Sequence, residues 1–381
     1  MMRQGLISLF SCHVYCCLWA AGAYAEVPDW VVYPEKEWKT LTPQESGITD
    51  VEAWNRWMRA TEKSARGASF HGEDHSGNKW GVAITRGGYL IQTFGDPDYK
   101  YQTASLGKAF TIACLQLAID EGLIKSGDDL IKDYWTGEGR LNAKHKYMNA
   151  GHHNQLTFNH LKNHTGAFPI TNGWSWKMGK NYGTPAPKWA NCTRDPDHDN
   201  YAHAKPSTVG RTYSSGGYWR LAQALTAVWK KHLKQVLDER IMGRIGIPPD
   251  RWDWTPGQVV HDTKDWYPKM PGYGLFLDPP YKINNQVVRG GPGWVVMSPK
   301  DLARWGLLVA TGGEWKGKRL ISRFQGHGGG NGSHVGGVDG KVFGSWGRVT
   351  STFNQGQIPW KLFVSPANPN AKPLYCETWS K

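Results

Sequence analysis

One apolar segment, residues 105–121, constrains the fold more than any other part of the sequence. Drawn as a helix, this segment carries apolar side chains on nearly every side, and Gly122 follows it as a typical C-terminal stop. A helix that is apolar nearly all round is buried inside a protein. We therefore predict a central helix with the core packed around it, in a chain of 381 residues that can bury a sizeable core.

Further patterns predict helices and strands before this segment. Residues 50–62 show helical spacing of apolar side chains, with Asp50 as the N-cap. Residues 80–86 and 89–94 have the composition of strands, and Gly87-Gly88 between them is typical of a hairpin turn. The N-terminal part of the chain therefore predicts an α/β body.

Residues 126–284 differ from their flanks, because they are rich in Gly, Pro, His, Asn and Trp. Helical patterns recur there near residues 156–163, 215–230 and 232–243. We predict a mostly helical insert over 126–284 and a discontinuous α/β body formed by residues 26–125 and 285–381.

After this insert, the sequence pattern predicts a short strand at residues 294–297 and a helix that runs from a Ser298-Pro299 cap to about Val309. Strand candidates follow near residues 341–350 and 360–364. These elements complete the predicted body.

The first 25 residues have the pattern of a secretory signal. Arg3 provides the cationic start, a short apolar stretch follows, and Ala23-Tyr24-Ala25 gives a small-x-small cleavage site. The apolar stretch is short and His13 interrupts it, which disfavours a membrane anchor, and a lipid-anchored Cys12 is disfavoured further. We expect a signal peptide at residues 1–25, a secreted or periplasmic protein, and no stable membrane anchor.

Charge and cysteine content narrow the function classes. Removing Arg3 with the signal lowers the formal net charge from +13 to +12, but the cations are scattered and no dense Lys/Arg run indicates nucleic-acid binding. Three cysteines remain, too few for a disulfide scaffold. Cys114 is predicted to be a buried free thiol, and a Cys192–Cys376 bridge stays open. No spacing matches a structural zinc site, and we expect neither a metal nor a cofactor.

Ser105-Leu106-Gly107-Lys108 opens the predicted central helix with a nucleophile and a base. Positions i and i+3 share a helix face, so the Lys108 amine can reach the Ser105 hydroxyl. A serine needs an adjacent base, and burial favours the uncharged amine that can act as one. Ser76-Gly77-Asn78-Lys79 has the same pattern but lies in a polar segment, where an amine stays hydrated and charged. An ordinary serine helix cap is the alternative role for Ser105.

Tyr213-Ser214-Ser215 stands at a predicted loop-to-helix junction. A phenol beside an uncharged lysine can relay protons between nucleophile and leaving group, and Ser215 can add a hydrogen bond to the same network. Tyr147-Met148-Asn149 is a competing motif, but it opens no clear helix. For either tyrosine, the alternative is a buried hydroxyl with a structural role.

The glycine-rich segment 326–337 supplies candidate substrate contacts. Backbone N–H groups with few side chains around them can stabilise an oxyanion, and the Ser105 amide would be the other donor. We favour His327, Gly328 and Gly329, with His334-Val335-Gly336 as the rival. A flexible loop carrying two ordinary histidines is the alternative.

In this order along the chain, Ser-x-x-Lys, Tyr-x-Ser and His-x-Gly resemble the β-lactamase-related serine hydrolases. That family includes class C β-lactamases, D-Ala-D-Ala carboxypeptidases, D-aminopeptidases, family VIII carboxylesterases and 6-aminohexanoate-dimer hydrolases. Residues 160–166 and 300–320 are similar to framework segments of the family. The resemblance implies an antiparallel sheet flanked by helices beside a mostly helical lobe, the DD-peptidase/β-lactamase-like fold, with the site between them.

The resemblance also implies roles for three residues and a reaction class. Ser105 would be the nucleophile, Lys108 the general base, and Tyr213 a partner in proton transfer, so an acyl-enzyme is expected. Where β-lactamases and carboxypeptidases carry Lys-Thr-Gly, this chain offers His327-Gly328-Gly329. A fixed cation there would bind a substrate carboxylate, so its replacement favours an ester or amide substrate over a β-lactam. A β-lactamase or D-Ala-D-Ala carboxypeptidase is the alternative enzyme.

The sequence offers three other interpretations. Residues 312–318 imitate a phosphate-binding loop, but Arg319 replaces the required Ser/Thr and a helix is predicted before it. A group of histidines could bind metal, although exposed loop positions are favoured for His152, His153, His160 and His164. A non-catalytic protein that holds cell-wall fragments or glycans through its tryptophans stays open. For the enzyme we expect a small-molecule or peptide-like substrate, such as one derived from the cell wall.

Overall fold

The structure of the protein, a computed structural model, describes residues 27, 31–67, 81–95, 97–98, 100–102, 107–135, 151–168, 205–211, 213–254, 282–293 and 295–322. The predicted signal peptide, the strand candidates at 341–350 and 360–364, and the open Cys192–Cys376 bridge lie outside these residues. The division into a body and an insert stays a prediction.

The apolar segment forms the predicted central helix, α2, which spans Lys108–Asp120. Its buried residues lie on every side of the helix: Lys108, Phe110, Thr111, Ile112, Ala113, Cys114, Leu115, Leu117 and Ala118. Gly122 follows with a φ of 71°, a left-handed conformation that favours glycine and ends the helix. Cys114 is a buried free thiol, as predicted, and burial raises the pKa of this thiol well above its ordinary value.

Five further helices are predicted correctly to within a few residues, and each begins at a polar cap. Helix α1 spans Val51–Gly67, and the Asp50 carboxylate accepts the backbone N–H of Ala53 at 2.8 Å. The others are α3 at Phe158–Lys162, α4 at Ser215–Trp229, α5 at Leu233–Arg240 and α6 at Pro299–Ala310. A side chain at the preceding residue caps each of these four, as Ser298 does for α6.

The predicted hairpin is present as strands β1, Gly81–Arg86, and β2, Tyr89–Gly95, which pair antiparallel. Gly87 and Gly88 turn the chain with φ angles of 56° and 84°. A side chain at Gly88 would also collide with the Val32 carbonyl oxygen, so this turn requires glycine for two reasons.

A three-stranded antiparallel sheet lies beside α2. Its order is β3 (Tyr101–Gln102), β7 (Val295–Met297) and β4 (Asp253–Trp254), with Trp254 opposite Val295. Two short hairpins complete the described strands, β5 (Lys282–Ile283) with β6 (Gln286–Val287), and β8 (Glu314–Trp315) with β9 (Lys318–Arg319). The β8–β9 hairpin occupies the segment that imitates a phosphate-binding loop, and helix α6 precedes it.

Aromatic side chains join the helices to this sheet. The Phe110 ring on α2 stacks on Trp305 of α6 at a centroid distance of 4.1 Å, and Trp252 and Trp254 lie 6.2 and 6.3 Å from it. All four side chains are buried.

Helix α4 packs against α2 and α3. The Lys108 Nζ atom lies 5.5 Å from the centre of the Tyr218 ring, so the start of α2 faces the first turn of α4. The candidate site lies where these two helices begin.

Across the residues described, no helix combines the length and the apolar character that crossing a membrane requires.

Candidate active site

Lys108, the first residue of α2, has a fully buried side chain. Its Nζ atom donates hydrogen bonds to the Tyr213 hydroxyl oxygen at 2.7 Å and to the Pro292 carbonyl oxygen at 2.6 Å. The same nitrogen lies 4.7 Å from the centre of the Tyr213 ring and 5.5 Å from that of Tyr218. A single amine is therefore held by one hydroxyl, one carbonyl and two aromatic rings.

A close approach of two glycines puts the amine in this place. A β-carbon on Gly107 would lie 2.6 Å from the carbonyl carbon of Gly293, well inside van der Waals contact. The absence of that carbon lets the start of α2 meet the buried turn at residues 290–293. Lys108 then follows directly, within reach of the turn carbonyl. Ser105 lies outside the described residues.

Tyr213 stands just before α4, at the loop-to-helix junction that the sequence predicts. Ser214 is the N-cap, and its hydroxyl accepts the backbone N–H of Gly217 at 3.2 Å. The backbone N–H of Ser214 donates to Nδ1 of His164 at 3.0 Å, and the His164 ring lies 4.7 Å from that of Tyr213. These contacts fix the tyrosine at the helix start. Ser215 begins α4, and its side chain is not described.

Tyr218, which the sequence analysis did not single out, lies one turn into α4 and is fully buried. Its hydroxyl donates to the Lys162 carbonyl oxygen at 2.9 Å. Burial raises the pKa of Tyr218, and the nearby Tyr213 raises it further, so this phenol stays protonated. Tyr218 therefore forms an uncharged aromatic wall beside the Lys108 amine. The only sequence signal for this role was the position of Tyr218 on a predicted helix, five residues after Tyr213.

The turn formed by Gly290, Gly291, Pro292 and Gly293 is a second feature that the sequence analysis did not single out. Thr111 of α2 donates its hydroxyl to the Gly291 carbonyl oxygen at 2.8 Å. The indole N–H of Trp254 donates to the carbonyl oxygens of Gly290 and Gly293, each at 3.0 Å. The side chains of Thr111 and Trp254 thus bind three of the four carbonyl oxygens of the turn, and the Lys108 amine binds the fourth.

The prediction that four histidines are exposed loop residues is wrong. His153 and His164 are buried, and His152 and His160 are partly buried. The reason is that three of them have structural partners: His153 stacks on Phe168 at 6.0 Å, His160 completes the cap of α3, and His164 accepts the Ser214 N–H. Within the described ranges, no three His, Cys, Asp or Glu side chains form a group that could hold a metal ion.

Most loop tryptophans that the structure describes pack into the core. Trp252 and Trp254 are almost fully buried against Phe110, and no large face of either ring is open to stack on a sugar. Trp174, Trp176 and Trp266 lie outside the described residues.

The structure brings together two of the predicted catalytic residues, Lys108 and Tyr213, which are 105 positions apart. Of the remaining candidates, Ser215 begins α4, while Ser105, His327, Gly328 and Gly329 lie outside the described residues. The rival motifs at residues 76–79, 147–149 and 334–336 lie outside them too.

Comparison with solved structures gives matches of low identity. A protein described as a 6-aminohexanoate-dimer hydrolase from Bacillus anthracis is 14% identical, with a TM-score of 0.47, over 78% of this chain and 67% of that one. A penicillin-binding protein homologue from Pyrococcus abyssi is 16% identical, with a TM-score of 0.44, over 72% and 58%. For a β-lactamase/D-alanine carboxypeptidase from Pseudomonas syringae the values are 17%, 0.44, 71% and 67%.

The chain thus spans between 58% and 67% of the length of these three structures. No curated protein matches the sequence. The model of the beta-lactamase family matches residues 22–354, which is most of the chain. The protein therefore belongs to the beta-lactamase family, whose members are serine hydrolases, and has the β-lactamase/DD-peptidase-like α/β fold of that family.

Proposed function

We propose that this protein is a serine hydrolase that cleaves an ester or amide bond through an acyl-enzyme, with Ser105 as nucleophile, Lys108 as base and Tyr213 as proton relay. One observation carries the proposal: the buried Lys108 Nζ lies 2.7 Å from the Tyr213 hydroxyl oxygen. A base and a phenol in direct contact are the two groups that activation of a serine and protonation of a leaving group require.

The hydrogen bonds of Lys108 are compatible with its role as a base. An uncharged amine has two N–H groups and one lone pair. Tyr213 and Pro292 provide acceptors for the two N–H groups, which leaves the lone pair for the hydroxyl of Ser105, three positions earlier in the chain. The amine can therefore accept the proton of the nucleophile without losing either of its other partners.

Acylation then follows from these contacts. The Ser105 oxygen attacks the substrate carbonyl carbon while its proton passes to the Lys108 nitrogen. The resulting ammonium returns a proton to the Tyr213 oxygen as the phenol protonates the leaving oxygen or nitrogen. The bond to the leaving group breaks, the acyl group stays on Ser105, and both Lys108 and Tyr213 end in their starting forms.

Deacylation uses the same groups with water as the nucleophile. Lys108 and Tyr213 accept a proton from water as it attacks the acyl carbonyl, and they return that proton to the Ser105 oxygen when the ester bond breaks. The carboxylic acid leaves and the serine is restored. We propose that backbone N–H groups of Ser105 and of His327, Gly328 and Gly329 bind the oxyanion in both steps, with Ser215 as a further polar contact.

The substrate class follows from the sequence of the third motif. His327 stands where a lysine would bind a substrate carboxylate, so we propose a small ester, an amide or a D-amino-acid peptide rather than a β-lactam. Residues 1–25 have the pattern of a signal peptide, and we propose that the enzyme acts outside the cytoplasm, in the periplasm or after secretion.

Covalent labelling tests the proposal directly. Purified protein is treated with a fluorescent fluorophosphonate, and Ser105→Ala and Lys108→Met are compared with Ser76→Ala and Lys79→Met from the rival motif. We expect labelling in the wild type and the two rival-motif variants, and none in the first two. A panel of p-nitrophenyl esters, D-amino-acid amides and nitrocefin then identifies the substrate class. Absence of labelling and of hydrolysis in the wild type would refute the proposal and favour a non-catalytic binding protein.

A further inference from the structure

We infer that Trp254 is a positioning residue for the proposed reaction: it fixes the turn at residues 290–293, and this turn holds the Lys108 amine in its reactive position. The effect of Trp254 on catalysis rests on the proposed function, whereas its effect on the position of the amine rests on the described contacts alone.

The turn supplies the backbone hydrogen-bond partner of Lys108. Pro292 and its neighbours are buried, and the Pro292 carbonyl oxygen lies 2.6 Å from Nζ. The other partner, Tyr213, is a partly exposed side chain with rotatable bonds of its own. Four rotatable bonds also separate the lysine amine from its backbone, so a fixed acceptor is needed to keep the nitrogen in one place.

Trp254 fixes that acceptor from the side of the sheet. Its buried indole N–H donates to the carbonyl oxygens of both Gly290 and Gly293, the first and last residues of the turn. The backbone N–H of Gly293 also donates to the Gly290 carbonyl at 3.0 Å. One side chain therefore binds the turn on both sides of Pro292. Pairing of β4 with β7 places Trp254 opposite Val295, two residues after the turn.

Two helices hold the opposite side of the turn. Thr111, one turn after Lys108 on α2, donates its hydroxyl to the Gly291 carbonyl oxygen at 2.8 Å. A side chain at Gly291 would collide with the Tyr218 carbonyl oxygen and lie 2.6 Å from the Ala222 β-carbon, so this residue lies directly on α4. The turn is thus enclosed by α2, α4 and β4.

Loss of the indole N–H would leave two buried carbonyls with fewer partners and loosen the turn. A displacement of about 1 Å in a catalytic group costs roughly 100-fold in rate, so a smaller shift of the amine is expected to lower kcat by about 10-fold. Substrate binding does not involve Trp254, which is fully buried in the core, so KM is expected to stay within about twofold.

The test compares Trp254→Phe with Trp252→Phe, a matched control in the same segment. Trp252 is almost fully buried, its ring lies as far from Phe110 as that of Trp254, and its indole N–H donates to Asp238 at 2.7 Å. Each variant loses one indole hydrogen-bond donor from the core, but only Trp254 contacts the turn. We measure kcat and KM with the best ester of the panel, and the free energy of unfolding by urea.

A second readout needs no activity. In protein labelled with 13C at the lysine ε-carbons, the Lys108 resonance is assigned by its loss in Lys108→Met. We expect Trp254→Phe to move this resonance and to lower kcat, while Trp252→Phe leaves both at the wild-type values. An unchanged kcat and resonance in Trp254→Phe overturns the inference, and so does an equal loss of kcat in Trp252→Phe.

The same measurements distinguish a failure of the proposed function from a failure of this inference. A wild type that neither hydrolyses the panel nor reacts with the fluorophosphonate refutes the catalytic roles, and the Lys108 resonance then decides whether Trp254 positions the amine. If Trp254→Phe does not fold, Thr111→Val loosens the turn from the other side. Its matched control is Thr226→Val, because the buried Thr226 hydroxyl donates only to the Ala222 carbonyl of its own helix, at 2.7 Å.

Discussion

Gly107 and Gly293 approach so closely that a β-carbon on Gly107 would lie 2.6 Å from the Gly293 carbonyl carbon. The two residues belong to α2's start and to the turn that holds the Lys108 amine. This contact therefore links the fold to the candidate site, because Lys108 follows Gly107 directly and Pro292 precedes Gly293.

The first prediction concerns this contact. Gly107→Ala forces the helix start and the turn apart, so we expect a destabilisation of about 1–3 kcal/mol together with a loss of ester hydrolysis. Urea unfolding and initial rates measure the two effects. Gly243→Ala is the control, because the nearest atom to its added β-carbon lies 3.7 Å away. Wild-type activity and stability in Gly107→Ala would show that the turn and the helix start are not tightly packed.

The second prediction concerns the phenol. Tyr213→Phe keeps the ring beside Lys108 but removes the hydroxyl 2.7 Å from Nζ, so we expect kcat to fall by about 100-fold or more. Steady-state hydrolysis of an ester measures the loss. Tyr134→Phe is the matched control, since its hydroxyl donates to Asp129, away from Lys108. A kcat near that of the wild type in Tyr213→Phe would exclude the phenol from proton transfer.

The third prediction concerns pH and stability. His232 caps α5 by accepting the Gln235 N–H at Nδ1, at 3.0 Å, and burial lowers its pKa, with the charges of Arg289 and Lys234 adding to the effect. The unfolded chain therefore binds a proton more readily than the folded one. Stability is full above the ordinary histidine pKa of about 6.5 and falls as the pH drops through that value towards the lower folded pKa.

Unfolding in urea between pH 8 and 5 measures this slope. His232→Asn keeps a side-chain acceptor at the N-cap but does not titrate, so we expect a smaller loss of stability at low pH than in the wild type. His160, whose pKa burial also lowers, continues to contribute in both proteins. An identical pH dependence of the two proteins would show that His232 is not the group responsible.

The fourth prediction concerns the buried Asp301 at the start of α6. Its carboxylate accepts hydrogen bonds from Arg251 at 3.1 Å and from the Ser298 hydroxyl at 3.1 Å, and Arg304 lies 3.9 Å away. Asp301→Asn removes a buried negative charge beside Arg251 and the buried Arg304, so we expect a loss of about 3–5 kcal/mol in the free energy of unfolding.

An exposed ion pair on the same helix is the control for Asp301. Asp98 is exposed and accepts a hydrogen bond from Lys300 at 2.7 Å, so Asp98→Asn is expected to cost less than about 1 kcal/mol. Equal effects of the two substitutions in urea unfolding would contradict the assigned role of burial.

Local patterns in the sequence predicted most elements because the interactions that specify them are local. Asp50 caps α1 and Ser298 caps α6 through residues three positions away. Gly87 and Gly88 form the predicted hairpin turn because their backbone needs left-handed angles. The histidines were predicted wrongly for the opposite reason. His164 is buried, and its Nδ1 accepts the backbone N–H of Ser214, 50 residues away. No periodicity in the local sequence reveals such a contact.

The sequence by itself determined the buried helix at Lys108–Asp120, its neighbours and the order of the motifs, since apolar periodicity, caps and turn residues act within a few positions. Only the tertiary structure decided that Lys108 meets Tyr213 and Pro292, 105 and 184 residues away. Only the tertiary structure decided, too, that Trp254 binds the turn that contains Pro292. Such contacts depend on how whole helices and strands pack, and the close approach of glycine backbones that permits them leaves no pattern in the local sequence.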